Sequence, residues 1–201
     1  METVSFATMA DGTKEDYDLI RRVGRPEYDA LPERALDALR TLKNFGKGFK
    51  IDRYQHSLQT ATRAFRDGAD EETVVAALLH DLGDVLAPTN HAEYAGTILE
   101  PYVSEKTHWV VRHHGLFQLY YFGQHIGRDP DVRERYRDNP YFDATVEFCE
   151  KWDQTAFDPD YDTLPVEHFE SMVEAVLNRK PFALRPDLGK ERLATAGIKQ
   201  S

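Results

Sequence analysis

A chain of 201 residues that is 41% hydrophobic, 30% charged and 11% aromatic can bury a core of its own, and its composition is that of one soluble globular domain. Its formal net charge of −10 argues against a general nucleic-acid surface, and no run approaches the roughly 18 apolar residues of a membrane-spanning helix. The single cysteine, Cys149, rules out an internal disulfide framework; with no basic-then-apolar leader at the N-terminus, the expected location is cytoplasmic.

Residues 1–30 are polar, and Arg21-Arg22 and Gly24-Arg25-Pro26 break any long pattern, so only a short helix over about 14–23 is expected there. Pro32 suits the first turn of a helix reaching about Asn44, with Ala35, Leu36, Leu39 and Leu42 on its apolar side. A loop at 45–49 follows. The next helix, over about 52–67, carries His56 and packs through Ala61, Ala64 and Phe65.

Asp70 suits the N-cap of a central helix whose first turn holds Glu71 and Glu72, matching the macrodipole. Its buried stripe runs Val74, Ala77, Leu78, Asp81 at i, i+3, i+4 and i+7. After a loop with Pro88, a helix from about 90 to 100 places His91, Ala95, Ile98 and Leu99 on one face. Ser104 caps another, in which Thr107, Val110, Val111 and His114 line up.

Residues 123–140 are charged and read as an excursion with one helical turn. From about 141, Phe142, Val146, Cys149 and Asp153 recur at helical spacing. Asp158-Pro159-Asp160 is a turn, Pro165 opens a last amphipathic helix to about Leu177, and residues after Pro181 are expected to be extended or mobile. No strand pattern, repeat or low-complexity tract is present. The expected fold class is all-α, a single domain over 1–201 with its core at about 32–177, a polar N-terminal segment and a C-terminal tail.

Asp81, His91, His114 and Asp153 fall on faces that are otherwise apolar. A lone histidine in such a place is usually a satisfied core group, but several histidines and aspartates on separate helices need a shared partner, and a metal cation satisfies them together. With His56 and His80 the set becomes four imidazoles and two carboxylates without a thiolate, which suits iron, manganese or zinc. Six ligands exceed the needs of one tetrahedral ion. Two metals with Asp81 between them are expected.

His108, His125 and His168 sit in polar surroundings and are expected to be exposed. His113 points about 100° away from His114 and is at best a neighbour of the ligands. Cys149 reads as a small core residue, since no base accompanies it. Phe117, Tyr120, Tyr121 and Trp152 are core aromatics or the lining of a pocket.

His56, the pair His80-Asp81 after a gap of 24 and the late Asp153 resemble the HD-domain superfamily, a helical metal-binding fold. The additional His91 and His114 match its dinuclear branch. Within that branch, Val110-Val111-Arg112-His113-His114 and Phe148-Cys149-Glu150-Lys151-Trp152-Asp153 resemble the mixed-valent diiron oxygenases, the group of myo-inositol oxygenase and the bacterial organophosphonate oxygenases. The resemblance covers roughly residues 50–160, and chain size favours the phosphonate enzymes.

That resemblance implies an HD helical bundle with a dinuclear site in its core. It implies two iron ions, Fe(II)/Fe(III), held by His56, His80, Asp81, His91, His114 and Asp153, with Asp81 bridging and His80 and Asp81 at the catalytic centre. The implied reaction is O2-dependent cleavage of the C–P bond of a small 1-hydroxyphosphonate. The first expected substrate is (R)-1-hydroxy-2-(trimethylammonio)ethylphosphonate, giving glycine betaine and phosphate. Partners are then the organophosphonate and O2, with no nucleic acid or membrane and the oligomeric state open. A metal-dependent HD phosphohydrolase acting on a small phosphate ester or nucleotide shares these ligands and is the alternative; a non-catalytic metabolite sensor is a third reading.

The chain also departs from those relatives. Asp84 stands where they carry histidine or lysine three residues after the HD aspartate, and Gln118 stands where a phosphonate relative carries lysine. The anion is then expected to be held by Arg53, Arg112 or Lys151. Asp84 is expected to favour a cationic group, with Tyr120, Tyr121 and Trp152 adding cation–π contacts. Asp84, Gln118, Arg112 and Tyr120 are therefore the expected substrate-binding residues. Gly24 and Pro26 could border a mobile N-terminal segment.

Overall fold

Val74 to Leu79 are all buried to within 1% of full occlusion, so helix α4 (Glu71–Leu79) has no solvent face beyond its first turn and must occupy the centre. The computed structural model describes residues 2–195. Asp70 caps α4 as expected, its carboxylate accepting from the Thr73 N–H at 2.8 Å. Around it pack α3 (Arg53–Arg66), α6 (Glu105–Phe122) and α8 (Glu170–Leu177). Helix α5 (His91–Leu99) lies along α6, and α7 (Phe142–Glu147) continues into a π-helical turn, Phe148–Asp153, that packs against α3 and α6. The fold is all-α. Among the described residues no strand forms beyond an isolated bridge between Lys47 and Phe49, and no helix is long and apolar enough to cross a membrane.

Buried residues from Ala35 to Leu177 form one connected core. Ala61 and Ala64 on α3 and Ala76 and Ala77 on α4 are fully buried, and such small side chains let the two helices approach closely. Asp52 caps α3 by accepting from Gln55, and its other oxygen accepts from the Asn44 N–H at 3.0 Å, closing the preceding loop onto the helix start.

Several boundaries differ from expectation. Helix α1 runs Lys14–Asp29, through Gly24 and Pro26, so neither residue borders a mobile segment. Its start is fixed by a capping box between Thr13 and Asp16, and the buried Asp16 also accepts from the Ser5 backbone. Helix α2 (Leu31–Arg40) stops short of Asn44, which adopts φ 67° in the turn that follows. The excursion 123–140 holds two 3-10 turns, Gly123–Ile126 and Val132–Tyr136, and the helix opened by Pro165 begins as a 3-10 turn before α8.

Residues 182–195 are not extended: α9 (Pro186–Thr195) follows Pro181, with Phe182 and Leu193 buried, while the expectation for 196–201 lies outside the described residues. It is tied back by Phe182 N–H to the Pro101 carbonyl at 2.6 Å and by Arg185 to the Glu100 carbonyl at 2.5 Å.

This docking also explains two histidines expected to be exposed. His108 is buried beside Arg185, and His168 is half-buried with its ring edge-on to Phe65 and Phe169. Only His125 is exposed as expected. Burial, and then the Arg185 guanidinium, lowers the His108 imidazole to about 4. The unfolded chain takes up that proton near pH 6.5, so its contribution to stability is complete above pH 6.5 and declines toward pH 4. His108→Gln is expected to narrow the Tm difference between pH 7 and pH 5 by about 2–4 °C, the effect of roughly 1 kcal/mol after allowance for solvent screening. An unchanged difference in thermal melts would contradict this placement.

Candidate metal centre

Six side chains from five parts of the fold meet beside the end of α4. His56 comes from the first turn of α3, His80 and Asp81 from the two residues that follow α4, His91 from the start of α5, His114 from mid-α6 and Asp153 from the end of the π-helical turn. Helix α4 ends two residues before the expected stripe does. Asp81 takes φ −102° and ψ 14°, so it is presented by a turn rather than by helical periodicity. The π-turn likewise breaks the expected spacing: Phe142, Thr145, Phe148, Cys149, Trp152 and Asp153 are buried, whereas Val146 is half-buried.

Three imidazoles are locked by backbone carbonyls. Nδ1 lies 2.9 Å from the Ala156 oxygen in His56, 2.7 Å from the Ala77 oxygen in His80 and 2.7 Å from the Val111 oxygen in His114. A carbonyl only accepts, so each Nδ1 must carry the hydrogen, which leaves Nε2 of the neutral ring as a lone pair. Those Nε2 atoms converge on the carboxylates. Asp81 Oδ2 lies 3.4 Å from Nε2 of both His56 and His80, while its Oδ1 lies 3.3 Å from His114 Nε2 and 3.6 Å from His91 Nε2. Asp153 Oδ1 lies 3.1 Å from His56 Nε2 and 3.6 Å from His80 Nε2.

These are acceptors facing acceptors in a buried space. His56 and His80 bring their Nε2 atoms to 3.3 Å, and Asp153 Oδ2 is buried with no hydrogen-bond partner. Such an arrangement is costly unless a cation sits among the groups, so the donor set fits a metal. Three overlapping triads have their ligand atoms within 4.8 Å of one another: His56/His80/Asp81, His80/His114/Asp153 and Asp81/His91/His114. Without a cation, the site relieves this opposition by protonating an imidazole. Burial alone would raise Asp81 and Asp153, but a protonated His80 and the hydrogen bonds that protonated imidazoles donate outweigh it and hold both carboxyls far below the usual range. Burial would lower His80, yet the same two carboxylates raise it well above the ordinary imidazole value.

His91 differs from the other three. Its side chain is 28% exposed, and its Nδ1 faces a carboxylate, Asp84 Oδ1, at 3.4 Å. Arg53 Nε donates to the other Asp84 oxygen at 2.8 Å, and Arg53 Nη1 stands 3.7 Å from Asp81 Oδ2. Both oxygens of Asp84 therefore face partners within the protein, and Asp84 braces His91 from behind. Gly83 makes this possible, because a Cβ there would lie 2.5 Å from His91 Cα.

The remaining expected substrate contacts are not brought together. Arg112 is paired bidentately with Glu93 at 2.8 and 2.7 Å and is well exposed; Lys151 pairs with Glu147 and Asp67 at the surface. Tyr120 is exposed beneath the Arg133 guanidinium, and Trp152 donates to Asp67. Gln118 is half-buried one turn beyond His114. Phe117 is core, His113 stacks on Trp109, and Cys149 is buried with Sγ 3.5 Å from the His114 carbonyl, its thiol pushed up by burial.

Sequence reasoning missed the aromatic cover. Phe157 stacks on His56 at 4.3 Å between ring centroids, Phe49 stacks on Phe157 at 5.0 Å, and Arg53 lies over Phe49. No periodicity points to Phe49 or Phe157, because both lie in loops.

Histidines and aspartates from separate helices around a cation-fitting space define a helical metal-binding protein. Residues 53–153 match the HD domain family, from the first residue of α3 to the final expected ligand, and the chain belongs to that family. The match and the cluster together support a metal-dependent HD-type enzyme. No curated protein matches the chain.

In equilibrium dialysis with a divalent metal, His91→Ala is expected to hold one metal equivalent fewer than the unaltered protein. Asp84→Asn is expected to weaken that same equivalent about 10- to 100-fold, the usual effect of removing a carboxylate behind a ligating imidazole. Equal metal content and affinity in all three proteins would contradict the bracing role.

Proposed function

We propose that the protein is an O2-dependent dinuclear oxygenase that cleaves the C–P bond of a small 1-hydroxyphosphonate, with two iron ions, Fe(II)/Fe(III), as its cofactor. The observation that carries this reading is the split of Asp81: one oxygen faces His56 and His80, the other His91 and His114. Two ligand sets sharing one carboxylate suit two adjacent ions better than one. When bound, an iron pair supplies two neighbouring Lewis-acid positions and the electrons for O2 chemistry.

The chain's own residues divide the work. His56, His80 and Asp153, all buried, would hold one ion away from water, and His91 and His114 would complete the other on the more open side. Since His56, His80 and His114 keep Nδ1–H on carbonyls, they serve as ligands and not as proton shuttles. His80 and Asp81 belong to the catalytic centre in this sense. Arg53 places positive charge at the partly exposed edge, beside His91.

Within the class, (R)-1-hydroxy-2-(trimethylammonio)ethylphosphonate is the first substrate, with glycine betaine and phosphate as products. That choice rests on the resemblance of the ligand motifs; Asp84, Tyr120 and Trp152, engaged elsewhere, lend it no support. A phosphohydrolase has a claim on the same ligands, and O2 separates the two. Anaerobically purified, iron-loaded protein given this phosphonate and ascorbate is expected to consume O2 in step with phosphate and betaine formation. Phosphate release without O2 uptake would replace the oxygenase by a hydrolase.

A further inference from the structure

Of the three imidazoles locked by carbonyls, two are held by their own chain neighbours: His80 and His114 each reach a carbonyl three residues back. His56 depends instead on the carbonyl of Ala156, 100 residues further along the chain. That carbonyl lies in the segment 154–165, which follows the ligand Asp153 and has no regular secondary structure beyond turns. Such a carbonyl can orient a ring only if something else holds the segment in place.

Gln59 is placed to hold it. It lies one turn after His56 on α3, on the same face, and is buried. Its Nε2 donates to the Asp158 carbonyl at 2.5 Å, and its Oε1 accepts from the Asp158 N–H at 3.3 Å. The carboxamide thus does for Asp158 what a neighbouring strand would do, satisfying both backbone groups of one residue. Asp158 is two residues from Ala156, and the intervening Phe157 is the ring that stacks on His56. On the other side, the Ala156 N–H returns to the Asp153 carbonyl at 3.0 Å, so one short stretch of chain joins two ligands. The segment's further ties to α3 lie farther from the ligands along both chains: Leu164 N–H donates to Thr62 Oγ1 at 3.1 Å, and Arg66 pairs with Asp162 at the exposed rim at 2.7 Å.

We infer that Gln59 is the positioning residue for the His56 side of the metal centre: it clamps the backbone at Asp158, and so fixes the Ala156 carbonyl that keeps His56 Nε2 turned toward the ion. Gln59 touches neither the ligand atoms nor a substrate. Its role rests on the metal centre and not on the oxygenase reaction proposed above. His91 is braced by a carboxylate and His56 by a clamped carbonyl, so the two sides of the centre are supported independently.

The test uses the full chain loaded with zinc, a diamagnetic probe, in the unaltered protein, Gln59→Leu and Gln59→Glu. Leucine removes both hydrogen bonds at similar size, and the glutamate carboxylate keeps an acceptor for the Asp158 N–H but turns an oxygen toward the Asp158 carbonyl. Proton NMR follows exchange with water of the Nδ1–H of His56, His80 and His114, which reports local opening. In both variants the His56 proton is expected to exchange at least tenfold faster, while those of His80 and His114 stay within twofold and serve as internal controls. Equilibrium dialysis is expected to show one zinc equivalent weakened about 10- to 100-fold and the other within twofold. In the His91→Ala background, the equivalent that remains should be the weakened one.

An unchanged His56 proton, or unchanged affinity for both equivalents, would overturn the inference. Faster exchange of all three protons with both equivalents weakened alike would also overturn it, because Gln59 would then support the fold as a whole. If Gln59→Leu does not fold, Gln59→Glu decides by the same criteria. A protein that takes up a single equivalent, still weakened by these substitutions, would remove the two-ion reading of the proposed function and leave the positioning role in place.

Discussion

Buried between two pairs of imidazoles, the Asp81 carboxylate directs Oδ2 toward His56 and His80 and Oδ1 toward His91 and His114. Three of those rings have Nδ1–H committed to backbone carbonyls, so lone pairs meet lone pairs across a buried space. Desolvating two carboxylates costs several kcal/mol per group, and only positive charge among them offsets it. A metal is the form of that charge which satisfies every donor at once. In its absence the two carboxylates raise the proton affinity of His80, a partial substitute.

The rest of the fold can be understood as the means of holding that opposition. Helix α4 is buried on all sides and so fixes where His80 and Asp81 emerge. Gly83 allows the turn after Asp81 to lie against the backbone of His91, and Gly115 leaves room for His91 Nε2 at 3.4 Å from where a Cβ would stand. The π-helical turn brings Asp153 inward beside Cys149 and Trp152, and π-turns of this kind recur at functional sites. Asp84 and Arg53 form a layer behind His91, the one ligand whose support comes from a carboxylate and not from a carbonyl. That difference places the adjustable side of the centre at His91, where the site is also most open.

Much of this was legible in the sequence because periodic burial is a strong signal. The stripes through Ala35, Leu36 and Leu39, through Ala77 and Leu78, and through Val110, Val111 and His114 all lie in helices with those residues buried. A polar residue that ends an apolar stripe is conspicuous, and His114 was visible for that reason. The misread parts share a physical cause: each depends on a tertiary contact or a broken period. His108 is polar in its local sequence but covered by Arg185 and the segment leading to α9. Asp84 finds its partners 31 residues earlier and seven later in the chain, at Arg53 and His91, and neither partner lies on the same element as Asp84. Arg133 lies in a turn where charge density suggests a solvated excursion, and only its occlusion distinguishes it from the arginines beside it. Pro26 lies within α1, where local preference predicts a break.

The claim on which the whole interpretation turns is that Asp81 is shared between two cations. Crystals of the metal-loaded protein, measured at the absorption edge of the metal, would test it directly. The expected result is two anomalous peaks, one against Asp81 Oδ2 with His56, His80 and Asp153, the other against Asp81 Oδ1 with His91 and His114. A single peak, with His91 and His114 turned away from it, would contradict the shared carboxylate and with it the dinuclear centre.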